Sequence, residues 1–289
     1  MTLERHPPPS QLAPGIAAAA ALVQQADFLL IAAGAGMGVD SGLPDFRGQE
    51  GFWRAYPALR QGRLDFSSVA SPSAFRSQPR LAWGFYGHRL KLYRNTVPNP
   101  TFSILKGWGE HMENGYGVFT SNVDGQFQLA GFPDSAIEEC HGSIHRLQCI
   151  NACTTNTWPA TSFHPDTDDA RCLLAGALPL CPQCGAIARP NILIFGDSEW
   201  IPDVTEHQHT RLSKSVGKAR RPLVVEIGAG TSIPSVRHFS ESVARYRGGS
   251  LIRINVREPN VSGSRDIGLA ATGMDAVLAI NAALTGAVR

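Results

Sequence analysis

The chain has almost no excess of charge: 26 lysines and arginines stand against 24 aspartates and glutamates in 289 residues, a formal net charge of +2. That excludes a strongly basic polyelectrolyte, so no nucleic-acid partner is expected. Charged residues are also scarce, at 17% against roughly 25% in an average soluble protein. With 43% apolar residues, the chain can fill a sizeable core, and global disorder is excluded. No apolar run approaches the roughly 18 to 20 residues that a helix needs to cross a bilayer, so no membrane span is expected. The alanine-rich stretch Ala17–Val23 behind Arg5 lacks a signal-peptide ending, because Gln24, Gln25 and Asp27 stand where small residues of a cleavage site belong. The 29 glycines and 20 prolines follow no fixed period, which rules out collagen and solenoids and implies many turns.

Cysteine is missing from both ends. All six lie between Cys140 and Cys184, a clustering that in a chain of this length points to a metal site in a reducing, cytoplasmic setting rather than to a disulfide framework. Cys149 and Cys153 form one knuckle, Cys181 and Cys184 another. Both spacings suit tetrahedral zinc, and four thiolates leave no open position for water, so such a zinc would be structural. Cys172 is a spare thiol between the knuckles, and reduced, unligated cysteines are the competing reading. His207 and His209 are read as a solvated pair.

Short apolar runs alternate with amphipathic segments. Asp27–Ala33 reads as a buried strand running into Gly34-Ala35-Gly36, and Pro222–Ile227 repeats the arrangement into Gly228-Ala229-Gly230. Further strand candidates are Gly117–Thr120, Ala136–Glu139, Asn191–Phe195 and Leu251–Val256. Helices are expected over Gln11–Gln25, Pro100–Met112 behind an Asn99 cap, Pro234–Arg247 and Met274–Leu284. This alternation predicts an α/β fold, a Rossmann-like doubly wound parallel sheet with a small zinc-binding lobe and a helical insertion. Ligands of such sheets bind at the carboxyl ends of the strands, where the strand order reverses. The expected division is a nucleotide-binding domain of residues 12–47 plus 98–146 plus 190–286, a loop and helical insertion at 48–97, and a small lobe at 147–189. The lobe is polar and too poor in apolar residues to build its own core.

Gly34 and Gly36 would let backbone amides approach a phosphate at a helix start. The full dinucleotide fingerprint lacks its third glycine, since Val39 stands there, and a plain strand-to-helix turn explains the pair equally well. The longer run is more specific: Gly34-Ala-Gly-Met-Gly-Val-Asp-Ser-Gly-Leu-Pro-Asp-Phe-Arg-Gly48 resembles the opening signature of the sirtuin family of NAD-dependent protein deacylases. Ordered blocks agree with it. Thr120-Ser-Asn-Val-Asp124 with Ala130-Gly131, His141-Gly-Ser143, Phe195-Gly-Asp197, Gly230-Thr-Ser232 and Ile254-Asn255 are each similar to a sirtuin segment, and the resemblance spans about residues 12 to 285.

The resemblance implies an enzyme that uses NAD as co-substrate and acylated lysines of proteins as partners, releasing nicotinamide and O-acyl-ADP-ribose. It implies that Gly34, Ala35, Gly36, Asp45, Phe46 and Arg47 contact NAD, that Ser121, Asn122 and Asp124 serve the nicotinamide ribose and carboxamide, and that Gly230, Thr231, Ser232 and Asn255 hold the phosphate, ribose and adenosine side. Phe195 and Gly196 would line the substrate segment. Departure of nicotinamide leaves positive character at the anomeric carbon, which carboxylate and amide dipoles stabilise while an aromatic side chain shields it from water. Asp45 also fits a turn after proline, and Phe46 a core position. His141 would act as general base on a ribose hydroxyl, a task suited to a neutral imidazole; His145, four residues on, could share a helical face with it, but only His141 has the Gly-Ser neighbour. Cys140 is read as a buried structural thiol. The expected zinc ligands Cys149, Cys153, Cys181 and Cys184 match the sirtuin zinc module, with one extra residue in the first knuckle.

Departures from the family pattern fall at Gly38, Ser121, Asp197 and Trp200, around the expected cofactor and acyl-lysine sites. Those at Gly38 and Ser121 motivate one alternative, an NAD glycohydrolase or ADP-ribosyltransferase on the same scaffold; a second is a non-catalytic NAD- or ADP-ribose-sensing module, against which intact Asn122, Asp124 and His141 count. Finally, Phe85-Tyr-Gly-His-Arg89 resembles the Tyr-x-x-Arg element of the sirtuin subclass that prefers succinyl, malonyl or glutaryl groups. Tyr86 and Arg89 lie three apart and share a helical face, where phenol and guanidinium could grip a carboxylate. A packing and solvation role is the alternative.

Overall fold

The computed structural model describes residues 9–44 and 48–286. Helix α1 (Pro9–Gln25) leads into strand β1 (Phe28–Ala33), and a one-turn helix α2 (Gly36–Val39) follows. All six residues of β1 are buried. Successive side chains point to opposite faces: Leu29, Ile31 and Ala33 enter one core, Phe28, Leu30 and Ala32 another. A continuous apolar run is what a parallel strand covered on both faces requires.

Helices α3 (Gly48–Ala55), α4 (Pro57–Gln61), α5 (Phe66–Val69), α6 (Pro72–Ser77) and α7 (Pro79–Asn95) make up the insertion. The chain then returns through α8 (Pro100–Glu110), where Asn99 Oδ1 accepts from the Thr101 amide at 2.9 Å. Strand β2 (Tyr116–Thr120), α9 (Gln126–Leu129) and β3 (Ile137–Glu139) come next. The order of the six-stranded sheet, with β9 (Pro222–Ile227), β10 (Ser250–Ile254) and β11 (Ile267–Leu269), is β11-β10-β9-β1-β2-β3, and every neighbouring pair is parallel. The order reverses between β1 and β9, which places the ligand crevice at their carboxyl ends. Helices α1, α8 and α12 (Gly273–Gly286) cover one face; α10 (Asp203–Lys218) and α11 (Ser235–Tyr246) cover the other.

A three-stranded antiparallel sheet is built from β4 (Gly142–Cys149), β5 (Trp158–Pro159) and β8 (Ala188–Ile192), in the order β5-β4-β8. A two-stranded hairpin, β6 (Thr167–Asp168) with β7 (Leu173–Leu174), lies beside α7. One expectation is corrected here. Asn191–Phe195 does not join the parallel sheet: its first residues pair with β4, and Leu193 and Phe195 are exposed, because the chain leaves the sheet after Ile192. The polar lobe, expected to be too poor in apolar residues for a core of its own, shares one with the insertion. Phe52, Phe75, Trp83, Phe85, Tyr86 and Leu90 from the insertion pack with Ile144, Leu147, Ala160, Cys172, Leu174 and Ala188 in one core. Trp83 Nε1 donates to the Ala188 carbonyl at 2.9 Å, and a Cβ on Gly84 would sit 2.1 Å from the Cys172 carbonyl oxygen.

Candidate functional site

The crevice floor is made by two glycine turns pressed main chain to main chain. A Cβ on Gly34 would lie 2.7 Å from the Gly228 carbonyl oxygen, and one on Gly228, whose φ is +64°, would lie 2.4 Å from the Gly36 Cα. The Gly34 amide donates to Ile227 and the Gly36 amide to Gly228. Glycine is therefore demanded at these positions by the contact between turns. The Gly36 amide, expected to face a phosphate, is spent on that contact.

The turn after β2 hangs from β1. The Ser121 amide and the Thr120 hydroxyl both donate to the Ala33 carbonyl, and Asn122 Nδ2 donates to the Gly34 carbonyl at 3.0 Å. Asn122 is thereby fixed beside the first glycine turn. Asp124 is buried, with Oδ1 accepting from the Gln126 amide at 2.9 Å. Burial pushes its carboxyl up to about 6, although the Gln126 amide and the nearby Arg89 charge act the other way.

His141 sits between β3 and β4. The Cys140 amide donates to Thr120, and the His141 carbonyl accepts from Leu193. Gly142 follows with φ +75°, and a Cβ there would meet the Asn191 carbonyl oxygen at 2.1 Å; no other residue fits the turn that presents the imidazole. Burial lowers the His141 pKa, opposed by a hydrogen bond to the Ser121 carbonyl, so the ring is neutral at pH 7. Its Nε2 lies 3.2 Å from Ser235 Oγ. His145 is on β4, not a helix, and its Nε2 donates to the Asp124 carbonyl at 2.9 Å. Cys140 is half-buried, and burial pushes its thiol up to about 12.

Across the crevice, Gly230, Thr231 and Ser232 form the loop between β9 and α11, with Thr231 and Ser232 exposed. Thr231 Oγ1 donates to Glu258 at 2.8 Å. Asn255 is buried: its Nδ2 donates to the Ala229 carbonyl, and its Oδ1 accepts from the amides of Arg257 and Glu258. Its polar atoms thus shape the loop. Arg237 donates to the same Ala229 carbonyl and to Glu258. The backbone of Ala35 adjoins this floor; Asp45, Phe46 and Arg47 lie outside the described residues.

Tyr86 and Arg89 are both buried on α7. Tyr86 stacks on Phe75 with ring centroids 5.5 Å apart, and burial pushes its hydroxyl up to about 12. Arg89 donates from Nε and Nη2 to the Tyr93 hydroxyl, and its guanidinium lies within 5.7 Å of the rings of Phe85, Tyr86 and Tyr93. Phe195 and Gly196 are exposed beside a groove lined by Ser71, Pro72 and Arg76. The Phe195 amide donates to the Ala70 carbonyl, and its ring packs edge-on against Phe66. Asp197 anchors this segment by accepting from Arg189 Nη2 at 2.7 Å, both side chains fully buried.

Cys149, Cys153, Cys181 and Cys184 bring their sulfurs within 4.8 Å of one another, with contacts of 3.6 and 3.7 Å. Sulfurs held 2.3 Å from a central zinc in a tetrahedron stand about 3.8 Å apart, so the donor set fits that ion. Burial would raise the Cys149 thiol, but the amides of Cys153 and Asn151 outweigh it and draw it down to about 7, as a metal ligand requires. Cys172 is buried in the core against α7 and takes no part in this cluster.

Sequence reasoning missed Ser235, Arg237, Glu258, Arg189 and the role of His145. Only Ser235 had a neighbouring signal, three residues beyond Ser232, and nothing in that spacing marks it as facing His141.

The model of the Sir2 family matches residues 34–233. An NAD-dependent protein deacylase of Thermococcus kodakarensis is 28% identical over 253 residues, 86% of this chain and 88% of the relative. A protein of the same description from Pyrococcus furiosus is 30% identical, over 78% of this chain and 80% of its own length. Among solved structures, a Sir2 homologue bound to ADP-ribose superposes with a TM-score of 0.69 at 24% identity, covering 93% of this chain and 96% of that one. A Sir2 homologue–NAD complex gives 0.65 at 24% identity, covering 97% and 96%.

Proposed function

The chain belongs to the Sir2 family, and from that premise we propose that it is an NAD-dependent protein lysine deacylase releasing nicotinamide and O-acyl-ADP-ribose. The observation that carries this reading is the neutral His141, held at the crevice by Gly142 and the Ser121 carbonyl and 3.2 Å from Ser235, just beyond the Gly230–Ser232 loop. In this reading His141 takes the proton of a ribose hydroxyl. Asn122 and Asp124 orient the nicotinamide ribose and carboxamide, and the Phe195–Gly196 segment receives the acylated lysine.

The four cysteines would hold a zinc that closes the small lobe; its full thiolate set supplies structure and no catalytic water. A reducing compartment, such as the cytoplasm, suits such a site, and among the described residues no helix is long and apolar enough to cross a membrane. Arg89, held among three aromatic rings with its charge felt at Asp124, supports a preference for acyl groups that end in a carboxylate. The test is mass spectrometry of NAD turnover with acetyl-, succinyl-, glutaryl- and lipoyl-lysine peptides. Peptide-dependent nicotinamide release is expected, with a loss on the order of a hundredfold or more in His141→Ala. Full turnover in that variant would remove His141 from the role of base.

A further inference from the structure

Beside the general base lies a hydroxyl for which the deacylation reading has no use. Ser235 opens α11, directly after the loop that carries Gly230, Thr231 and Ser232, and it is half-exposed. Its Oγ lies 3.2 Å from His141 Nε2. The imidazole also bonds the Ser121 carbonyl, and in the neutral tautomer whose Nε2 carries no proton the Ser235 hydroxyl donates to that nitrogen. A hydroxyl bonded to a neutral imidazole that is itself oriented by a third group is the arrangement of an activated nucleophile. The hydroxyl, the base and the carbonyl come from α11, the β3–β4 turn and the turn after β2, and all three meet at the crevice.

We propose that Ser235 is an internal acceptor of the ADP-ribosyl group: a self-modification site that captures the anomeric carbon of NAD when no acylated lysine occupies the channel. The proposal rests on the NAD-cleaving reading above. In the step, Ser235 Oγ bonds to the anomeric carbon as the bond from that carbon to the pyridine nitrogen breaks, and the bonding pair leaves with nicotinamide. The hydroxyl proton passes to His141 Nε2 and from the imidazolium to water. One NAD and one serine give one ADP-ribosyl serine, one nicotinamide and one proton; nothing is oxidised or reduced. An acyl-lysine oxygen and Ser235 would compete for the same carbon, so the substrate suppresses the modification.

The experiment incubates the full-length, zinc-replete protein with NAD alone and maps the adduct by peptide mass spectrometry, with nicotinamide measured in parallel. The expected result is ADP-ribose on Ser235 with matching nicotinamide, suppressed by an acylated peptide and slowed on the order of a hundredfold in His141→Ala. Ser235→Ala removes the adduct. Ser235→Cys moves it to a thioglycoside that mercuric ion cleaves, a chemical signature that a folding defect would not produce. Nicotinamide release with acylated peptide but no adduct at Ser235 in NAD alone overturns this proposal and leaves deacylation standing. An adduct that persists at another residue in Ser235→Ala also overturns it. No nicotinamide release under any condition overturns both readings.

Discussion

The parallel sheet and the second lobe solve the same problem, covering apolar surface, by opposite means. In the sheet, single strands such as β1 feed alternate side chains into cores on both faces, and most of the burial follows from consecutive residues. In the lobe, the β4–β5–β8 sheet and the β6–β7 hairpin are small and take their fully buried aromatic cover from α3 to α7, some 50 to 140 residues away along the chain. Neither part of that second core is complete without the other. The four-cysteine cluster closes the lobe at its far end, where Cys153 and Cys184 are exposed.

The sharpest way to break this contrast is to remove the metal. Chelation, or Cys181→Ser, is expected to abolish NAD-dependent turnover and expose apolar surface to a fluorescent dye, because metal binding and folding are one equilibrium in such lobes. Far-UV circular dichroism from the sheet and its helices should largely persist; a complete loss of helical signal would mean that the two regions fold as one. Next in size, Arg189→Met leaves Asp197 as an uncompensated buried carboxylate, at a cost of about 3–5 kcal/mol. Trp83→Ala should cost a similar amount, about 3–5 kcal/mol, because it opens a cavity and strips the Ala188 carbonyl of its donor. Urea melts followed by intrinsic fluorescence measure both; values under about 1 kcal/mol would show that the lobe relaxes around the change.

The smallest expected effect is one of pH. Burial pushes Glu139 up to about 7 and Asp124 up to about 6, both above the roughly 4 of an unfolded carboxyl. The folded protein therefore holds more protons than the unfolded chain over this window. Stability is full below about pH 4 with respect to these groups and falls as pH rises through about 6 and 7. A thermal-melt series should show Tm declining between about pH 4 and about pH 7, with each 1 kcal/mol moving Tm by ~2–4 °C in a protein of this size. Glu139→Gln should flatten the slope; an unchanged slope would assign it elsewhere.

The two regions also differ in how plainly the sequence declares them. The strands β1 and β9 are continuous apolar runs ending in glycine, and the Asn99-Pro100 pair announces α8 through its cap, so these elements can be read locally. The cysteine knuckles are equally legible, since tetrahedral coordination constrains spacing. Helix α10 has no such signal: only Gln208, Leu212 and Val216 are buried along sixteen residues, too thin an apolar stripe to announce it. The shared core of insertion and lobe is invisible for a different reason, because Trp83 and Ala188 meet only after the chain has made several turns. At the site, motif order locates Asn122, Asp124 and His141. The Ser235 contact depends on where α11 begins relative to the β3–β4 turn, a relation that exists only between elements.

The backbone contact between the two glycine turns has a practical corollary for anyone redesigning this scaffold. Positions 34 and 228 admit no side chain, since each would drive a methyl group into the opposing main chain, so a mutational library that samples them is wasted there. The neighbouring Gly230 has open space around its Cβ position, and Thr231, Ser232 and Ile233 are exposed. Diversity introduced across 230–233 therefore meets no main-chain obstacle and leaves the seam between positions 34 and 228 intact.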